Sequence, residues 1–143
     1  MKALLIIPLF LLLSACSDEQ TPNNNHSDRW YSNADILIGE KIFTNNCAVC
    51  HGDKAQGLTK DWKQPLTDGS YPAPPLNGSA HAWHHPMKIL LRTTQNGGIP
   101  LGGTMPGFKE QLSQPEQLAA IAYFQSFWSE KTYQAWLERG GLK

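Results

Sequence analysis

The strongest chemical signal in this sequence is Cys47-Ala48-Val49-Cys50-His51, a C-x-x-C-H run. That spacing reads as attachment of a c-type haem. Each thiol can add across one vinyl group of the porphyrin, and two intervening residues let both reach the same edge. The adjacent His51 then offers an imidazole nitrogen to the iron from the proximal side. Two other readings of the cysteines are a dithiol redox motif and half of a zinc site. The first wants a βαβ context, and nothing ahead of Cys47 reads as a buried strand. The second needs more ligands, and the only other cysteine, Cys16, has a different assignment below.

Haem iron held by one histidine needs a sixth ligand or keeps an open position. Met105, in the glycine-rich stretch 97–108, offers a thioether, a soft ligand that favours reduced iron and raises the potential. Methionine is more often a core residue. Met105, however, stands between Thr104 and Pro106 in a loop rather than on a helical face, which favours ligation. Met87 is the rival, but it follows Pro86 at a helix start, where packing suffices. A third group, His81, His84 and His85, can be read as a copper or zinc site. Trp83 and Pro86 favour a packed turn instead, with one histidine bonding a haem propionate or a backbone carbonyl.

Helices must position these groups. Ser32 with Asp35 three residues on forms a capping-box start, and Ile36, Leu37, Gly39, Ile42 and Phe43 recur at helical spacing up to Asn45-Asn46. Gly39 inside a helix costs about 1 kcal/mol, which implies close packing against a second helix. Residues 52–79 read as loop, with four prolines and four glycines. A structureless stretch of that length needs a task, and wrapping a haem edge is one. Trp62, Tyr71 and Leu76 are the candidates to pack on or near the ring. A short helix follows over residues 87–96, stopped by Gly97-Gly98. Ser113-Gln114-Pro115-Glu116 opens another through an S-x-x-E box, with Leu118, Ile121, Ala122, Tyr123 or Phe124, and Phe127-Trp128 as its apolar set. Residues 129–139 read as a further short helix, with Tyr133, Trp136 and Leu137 on one side.

With these elements in place, the sequence resembles the class I cytochromes c. Three features carry the resemblance: a helix running into C-x-x-C-H, the segment Gly103-Thr104-Met105-Pro106-Gly107-Phe108, and an aromatic carboxy-terminal helix. It covers about residues 30 to 128. It implies a small all-α fold wrapped around one covalent haem c, in which Gly39 and Phe43 cross the last long helix near Ala122 and Tyr123. More narrowly, residues 71–78, 81–86 and Phe127-Trp128 look like a subgroup of bacterial monohaem cytochromes.

The amino terminus suggests a location. Lys2 precedes an apolar run over residues 3–13, too short to span a bilayer. Plain signal cleavage before Cys16 wants small residues one and three places upstream, and Leu13 occupies the second of these. Leu13-Ser14-Ala15-Cys16 instead resembles a bacterial lipoprotein lipobox, with Cys16 lipidated. One thiol for lipid and two for haem leave none over. Two or more acyl chains suffice for stable anchoring. The expected layout is a signal peptide over 1–15, a lipidated cysteine and disordered tether over 16–29, and one domain over 30–143. The tether reaches on the order of 17 Å, keeping the domain near the membrane. By analogy with enterobacterial sorting, Ser17 after the cysteine leans toward the outer membrane, on the periplasmic side.

Formal charge is +0 for the 143 residues, so no basic excess argues for nucleic acid. The leading expectation is a one-electron carrier rather than an enzyme, because iron held by His51 and Met105 has no vacant position. It requires a redox partner protein. The alternatives are a haem enzyme or sensor with a labile sixth ligand, and a metal-handling protein using His81, His84 and His85. No distal His–Arg pair supports the enzyme.

Overall fold

A computed structural model describes residues 28–143. Cys16, the signal segment and most of the tether lie outside the described residues. The described chain holds α1 (Asn33–Asn46), α2 (Ala48–His51), α3 (Met87–Asn96), α4 (Gln114–Ser126) and α5 (Glu130–Glu138), with no strand among them. Single tight helical turns at Ala82–His84 and Ile99–Leu101 bracket α3.

Both long helices start where their capping signals lie. The Ser32 backbone N–H donates to the Asp35 carboxylate at 2.8 Å, and the Asp35 N–H donates back to the Ser32 hydroxyl at 3.2 Å. Ser113 and Glu116 make the equivalent box ahead of α4, which carries proline in its first turn. These bonds satisfy amide groups that a helix start otherwise leaves unpaired.

The core is the crossing of α1 over α4. Gly39 lies against the Ala119 carbonyl and the Tyr123 Cβ, so closely that an added Cβ would collide with that carbonyl. Phe43, 1% exposed, packs on the Tyr123 ring with centroids 5.2 Å apart. Burying an aromatic of that size contributes about 2–3 kcal/mol. The crossing therefore sits where the resemblance put it for Tyr123, but Gly39 meets Ala119, one turn before Ala122. Leu37 belongs to the other side of α1 and is 63% exposed. It does not join the buried face.

α4 is buried almost all round, from Ala119 to Ser126. Its polar members bond inward: Gln125 Oε1 accepts from the Trp30 indole at 2.7 Å, and Gln117 donates to the Leu112 carbonyl. α5 packs on the same body. Trp136 is 1% exposed, its indole donates to the His85 carbonyl at 2.8 Å, and its ring lies against Gly141. The last thirteen residues are thus part of the domain.

The domain also begins earlier than residue 30. The Arg29 guanidinium donates to the Gln125 and Trp128 carbonyls at the end of α4, pairs with Glu130, and lies 4.0 Å from the Tyr133 ring centroid. Its side chain is only 3% exposed. The tether drawn through Arg29 ends before it, because four acceptors and an aromatic face outweigh the side-chain entropy of holding it. Among the described residues no helix is long and apolar enough to cross a membrane.

Candidate haem-attachment site

The end of α1 feeds directly into the C-x-x-C-H run. Cys47 caps α1, and its carbonyl accepts from the Cys50 and His51 amides at 3.1 and 2.9 Å. That turn sets Cys47 and Cys50 three residues apart on one helical side. Val49 between them points to solvent, 76% exposed. Cys50 is exposed and Cys47 half-buried, and both thiols are free of disulfide. Burial, with Cys50 beside it, pushes the Cys47 thiol up to about 11. A dithiol oxidoreductase instead depends on a lowered thiol. A zinc site lacks its remaining ligands: among the described residues no group of three or more His, Cys, Asp or Glu could hold a metal.

His51 is 6% exposed, and its Nδ1 lies 2.9 Å from the Pro74 carbonyl oxygen. A carbonyl can only accept, so Nδ1 carries the proton and Nε2 keeps its lone pair. Burial lowers the imidazole's proton affinity, and the Pro74 bond offsets part of that effect. The ring is therefore neutral, oriented and able to bind a metal through one defined atom, an arrangement common among metal-binding histidines. The sequence singled out the proline-rich loop but not this carbonyl. Its only trace was the density of proline over residues 72–75.

The loop itself is pinned at several points. The Ala55 carbonyl accepts from the Leu76 and Asn77 amides, and the Trp128 indole donates to the Leu76 carbonyl at 2.7 Å. Ala55 is fully buried at φ +55. Leu76 packs half-buried against the core, whereas Tyr71 is 59% exposed. Trp62 lies on the His81 ring, centroids 5.3 Å apart.

Met105 comes from a separate element, the loop after α3, and is half-buried. Its backbone is fixed to the end of α3. The Gly98 amide donates to the Met105 carbonyl at 2.9 Å, and the Phe108 and Lys109 amides donate to the Thr94 and Gln95 carbonyls. Gly97, at φ +74, lies against the Met105–Gly107 backbone, and Gly107 lies in turn against Gln95 and Asn96. The loop is thus clamped on both sides, leaving the thioether on a rigid support. Met87 starts α3 and packs on the core.

His81, His84 and His85 surround the tight turn Ala82–His84. His81 meets His85 edge-on at 5.5 Å, and His84 stacks on Trp83 at 4.0 Å. The turn is packed, with Ala82 buried, but none of the three imidazoles bonds a carbonyl among the described residues.

The donor set fits a c-type haem: two thiols on one helical side, a neutral oriented imidazole, and a clamped thioether. Comparison with known proteins agrees. The family described as cytochrome c oxidase, cbb3-type, subunit III matches residues 34–124. A cbb3-type cytochrome c oxidase subunit CcoP of Rhodobacter capsulatus is 36% identical over 95 residues, 62% of this chain and 28% of that protein. Subunit FixP of Bradyrhizobium sp. (strain ORS 278) is 34% identical over 90 residues, 63% of this chain and 26% of that protein. The chain spans about a quarter of the length of the curated relatives it matches. No solved structure matches it significantly. The matched stretch takes in the C-x-x-C-H turn, the α1–α4 crossing and the Met105 loop, and the chain belongs to the cbb3-type cytochrome c oxidase subunit III family, as an all-α c-type cytochrome domain that binds haem c covalently.

Proposed function

We propose that this protein is a one-electron carrier in which Cys47 and Cys50 hold one haem c by thioether bonds, with His51 and Met105 as the axial ligands. The haem, when bound, supplies an iron that gains and loses one electron. The chain's own residues do the rest. Pro74 holds the His51 ring in the tautomer whose Nε2 is free to ligate, and this bond is the observation that carries the reading. The clamp on the Met105 backbone keeps the thioether from wandering between oxidation states. With both axial positions taken by protein, a substrate has no place to bind, which supports electron carriage over catalysis or sensing.

Cys16 is the proposed lipid attachment point, tethering the domain on the periplasmic side of a bacterial membrane, with the outer membrane favoured. The relatives are named as subunits of cbb3-type oxidases, which supports a partner within an oxidase-linked electron-transfer chain.

The test is spectroscopic. Oxidised wild type should show the weak absorption band of methionine-ligated iron near the red end of the visible spectrum. That band should vanish in Met105→Ala and persist in Met87→Ala. The Met105 variant should also lose potential and gain carbon monoxide binding. Rapid carbon monoxide binding to wild type, with no such band, would replace the carrier with an open-site haem protein. Mass spectrometry of the mature amino terminus tests the anchor separately, and an unlipidated Cys16 in the native host would refute it.

A further inference from the structure

The turn at Ala82–His84 and the end of α5 gather an uncompensated patch of positive and protonatable groups. Lys63 Nζ lies 5.4 Å from the Trp62 ring centroid, and the other face of this small cluster continues through His81 to His85. On the same turn Trp83 carries His84 at 4.0 Å and the Arg139 guanidinium at 5.1 Å. Lys63, His81, His84 and Arg139 are exposed, and His85 is half-buried. The charged groups that bear on His81 are His85, His84 and Lys63, with no carboxylate among them. The ion pair found among the described residues, Arg29 with Glu130, lies elsewhere. In a chain of formal charge +0, two unpaired cations and three histidines on one face make a local positive field.

We propose that this face, formed by Lys63, His81, His84, His85 and Arg139, docks an acidic surface of a partner protein. Cations resting on indole faces are partly desolvated and held in place, so they lose little freedom on meeting carboxylates. The exposed imidazoles have ring nitrogens to offer, and each gains a charge as pH falls through the histidine range. A membrane surface fits less well. Trp62 and Trp83 are half-buried and lie beneath cations, so neither projects as an apolar anchor. The patch goes beyond the axial-ligand assignment, and its binding is measured without any redox step, so either idea can fail alone.

The haem-loaded protein is titrated into a fluorescently labelled polyglutamate peptide at low salt, with anisotropy as readout. Binding should tighten roughly tenfold from about pH 8 to about pH 5.5 and weaken as salt rises. The double variant Lys63→Gln, Arg139→Gln should bind at least about tenfold more weakly at both pH values. The triple variant His81→Asn, His84→Asn, His85→Gln should lose the pH dependence. A control, Lys41→Gln with Lys131→Gln, should bind as wild type. Equal binding by wild type and the Lys63/Arg139 variant would overturn the proposal. So would tighter binding to phosphatidylglycerol vesicles than to polyglutamate through the same residues. A histidine variant that shifts the haem spectrum and leaves polyglutamate binding unchanged would also overturn it, giving the histidines an inward role.

Discussion

Gly97 stands so close to Met105 that a Cβ at position 97 would run into the Met105 carbonyl oxygen. The same backbone turn, at φ +74, is a conformation that L side chains rarely adopt. The end of α3 and the methionine loop are therefore one rigid unit, and ligation by Met105 depends on a residue that never touches the iron.

Gly97→Ala should accordingly act on the haem spectrum. Both the positive φ and the collision oppose it, at a cost of about 1–3 kcal/mol. The loop can relieve that strain by moving Met105. The red-end band should weaken or disappear while helical circular dichroism stays near wild type. Gly102→Ala is the matched control, since Gly102 also has positive φ (+80) but nothing within 4 Å of an added Cβ. It should keep the band. Equal loss in both variants would mean that the clamp does not position the thioether.

Gly39→Ala tests the helix crossing. An added methyl there meets the Ala119 carbonyl, which cannot move without shifting α4. Overpacking of this kind costs about 1–3 kcal/mol. Leu37→Ala, at a position 63% exposed, should change stability by less than about 0.5 kcal/mol. Urea denaturation of the haem-loaded protein measures both. A larger loss at Leu37 than at Gly39 would contradict the crossing.

Those two residues also show how much the sequence revealed. Gly39 announced a close helix contact because a mid-helix glycine is costly without one. Leu37 was misplaced because it is apolar, yet at about 100° per residue it sits roughly 160° from Gly39 around the helix. The capping boxes at Ser32 and Ser113 fixed both helix starts, since their bonds are local in sequence. Cys47, Cys50 and His51 were legible for the same reason, being neighbours in one turn. Pro74 was not, because its role is a backbone carbonyl reaching back 23 residues to His51. The buried face of α4 was only partly legible, since a helix enclosed on all sides has little periodicity to read.

The caps predict an acid limb in stability. The Ser32 backbone N–H, then its hydroxyl, hold the Asp35 carboxyl below its ordinary value. Ser113 does the same for Glu116, through its hydroxyl and then its backbone. A carboxyl with lowered affinity in the folded state binds its proton more readily in the unfolded chain. Its contribution is therefore complete above the unfolded value, about 4, and declines as pH falls through the folded one. Asp35→Asn should lower the urea midpoint at neutral pH and converge with wild type at the acid end. A constant offset at all pH values would show that the carboxylate charge is not what stabilises α1. Both carboxyls are largely exposed, so the effect should be small.

Arg29 gives the last prediction, and two magnitudes decide it. Its guanidinium, 3% exposed, donates to the Gln125 and Trp128 carbonyls at 3.3 and 3.2 Å and to the Tyr31 hydroxyl at 3.1 Å. Burial pushes the Tyr31 hydroxyl up to about 12, with Arg29 opposing that rise, so Tyr31 stays neutral. Removing the guanidinium deprives the end of α4 of donors in a part of the fold that water scarcely reaches. Arg29→Met keeps the packing volume and should still cost roughly 2–3 kcal/mol. Glu130, by contrast, is 58% exposed, and an ion pair reaching that far into solvent is worth about 0–1 kcal/mol. Glu130→Gln should therefore be nearly neutral. The difference should also appear in hydrogen exchange, with amides at the α4–α5 corner opening faster in the Arg29 variant and unchanged in the Glu130 variant. Because residue 29 is where the amino-terminal segment joins the fold, its loss should free the chain as far as Tyr31 and leave the haem spectrum intact. If Glu130→Gln costs as much as Arg29→Met, the ion pair rather than the buried carbonyl bonds holds that corner.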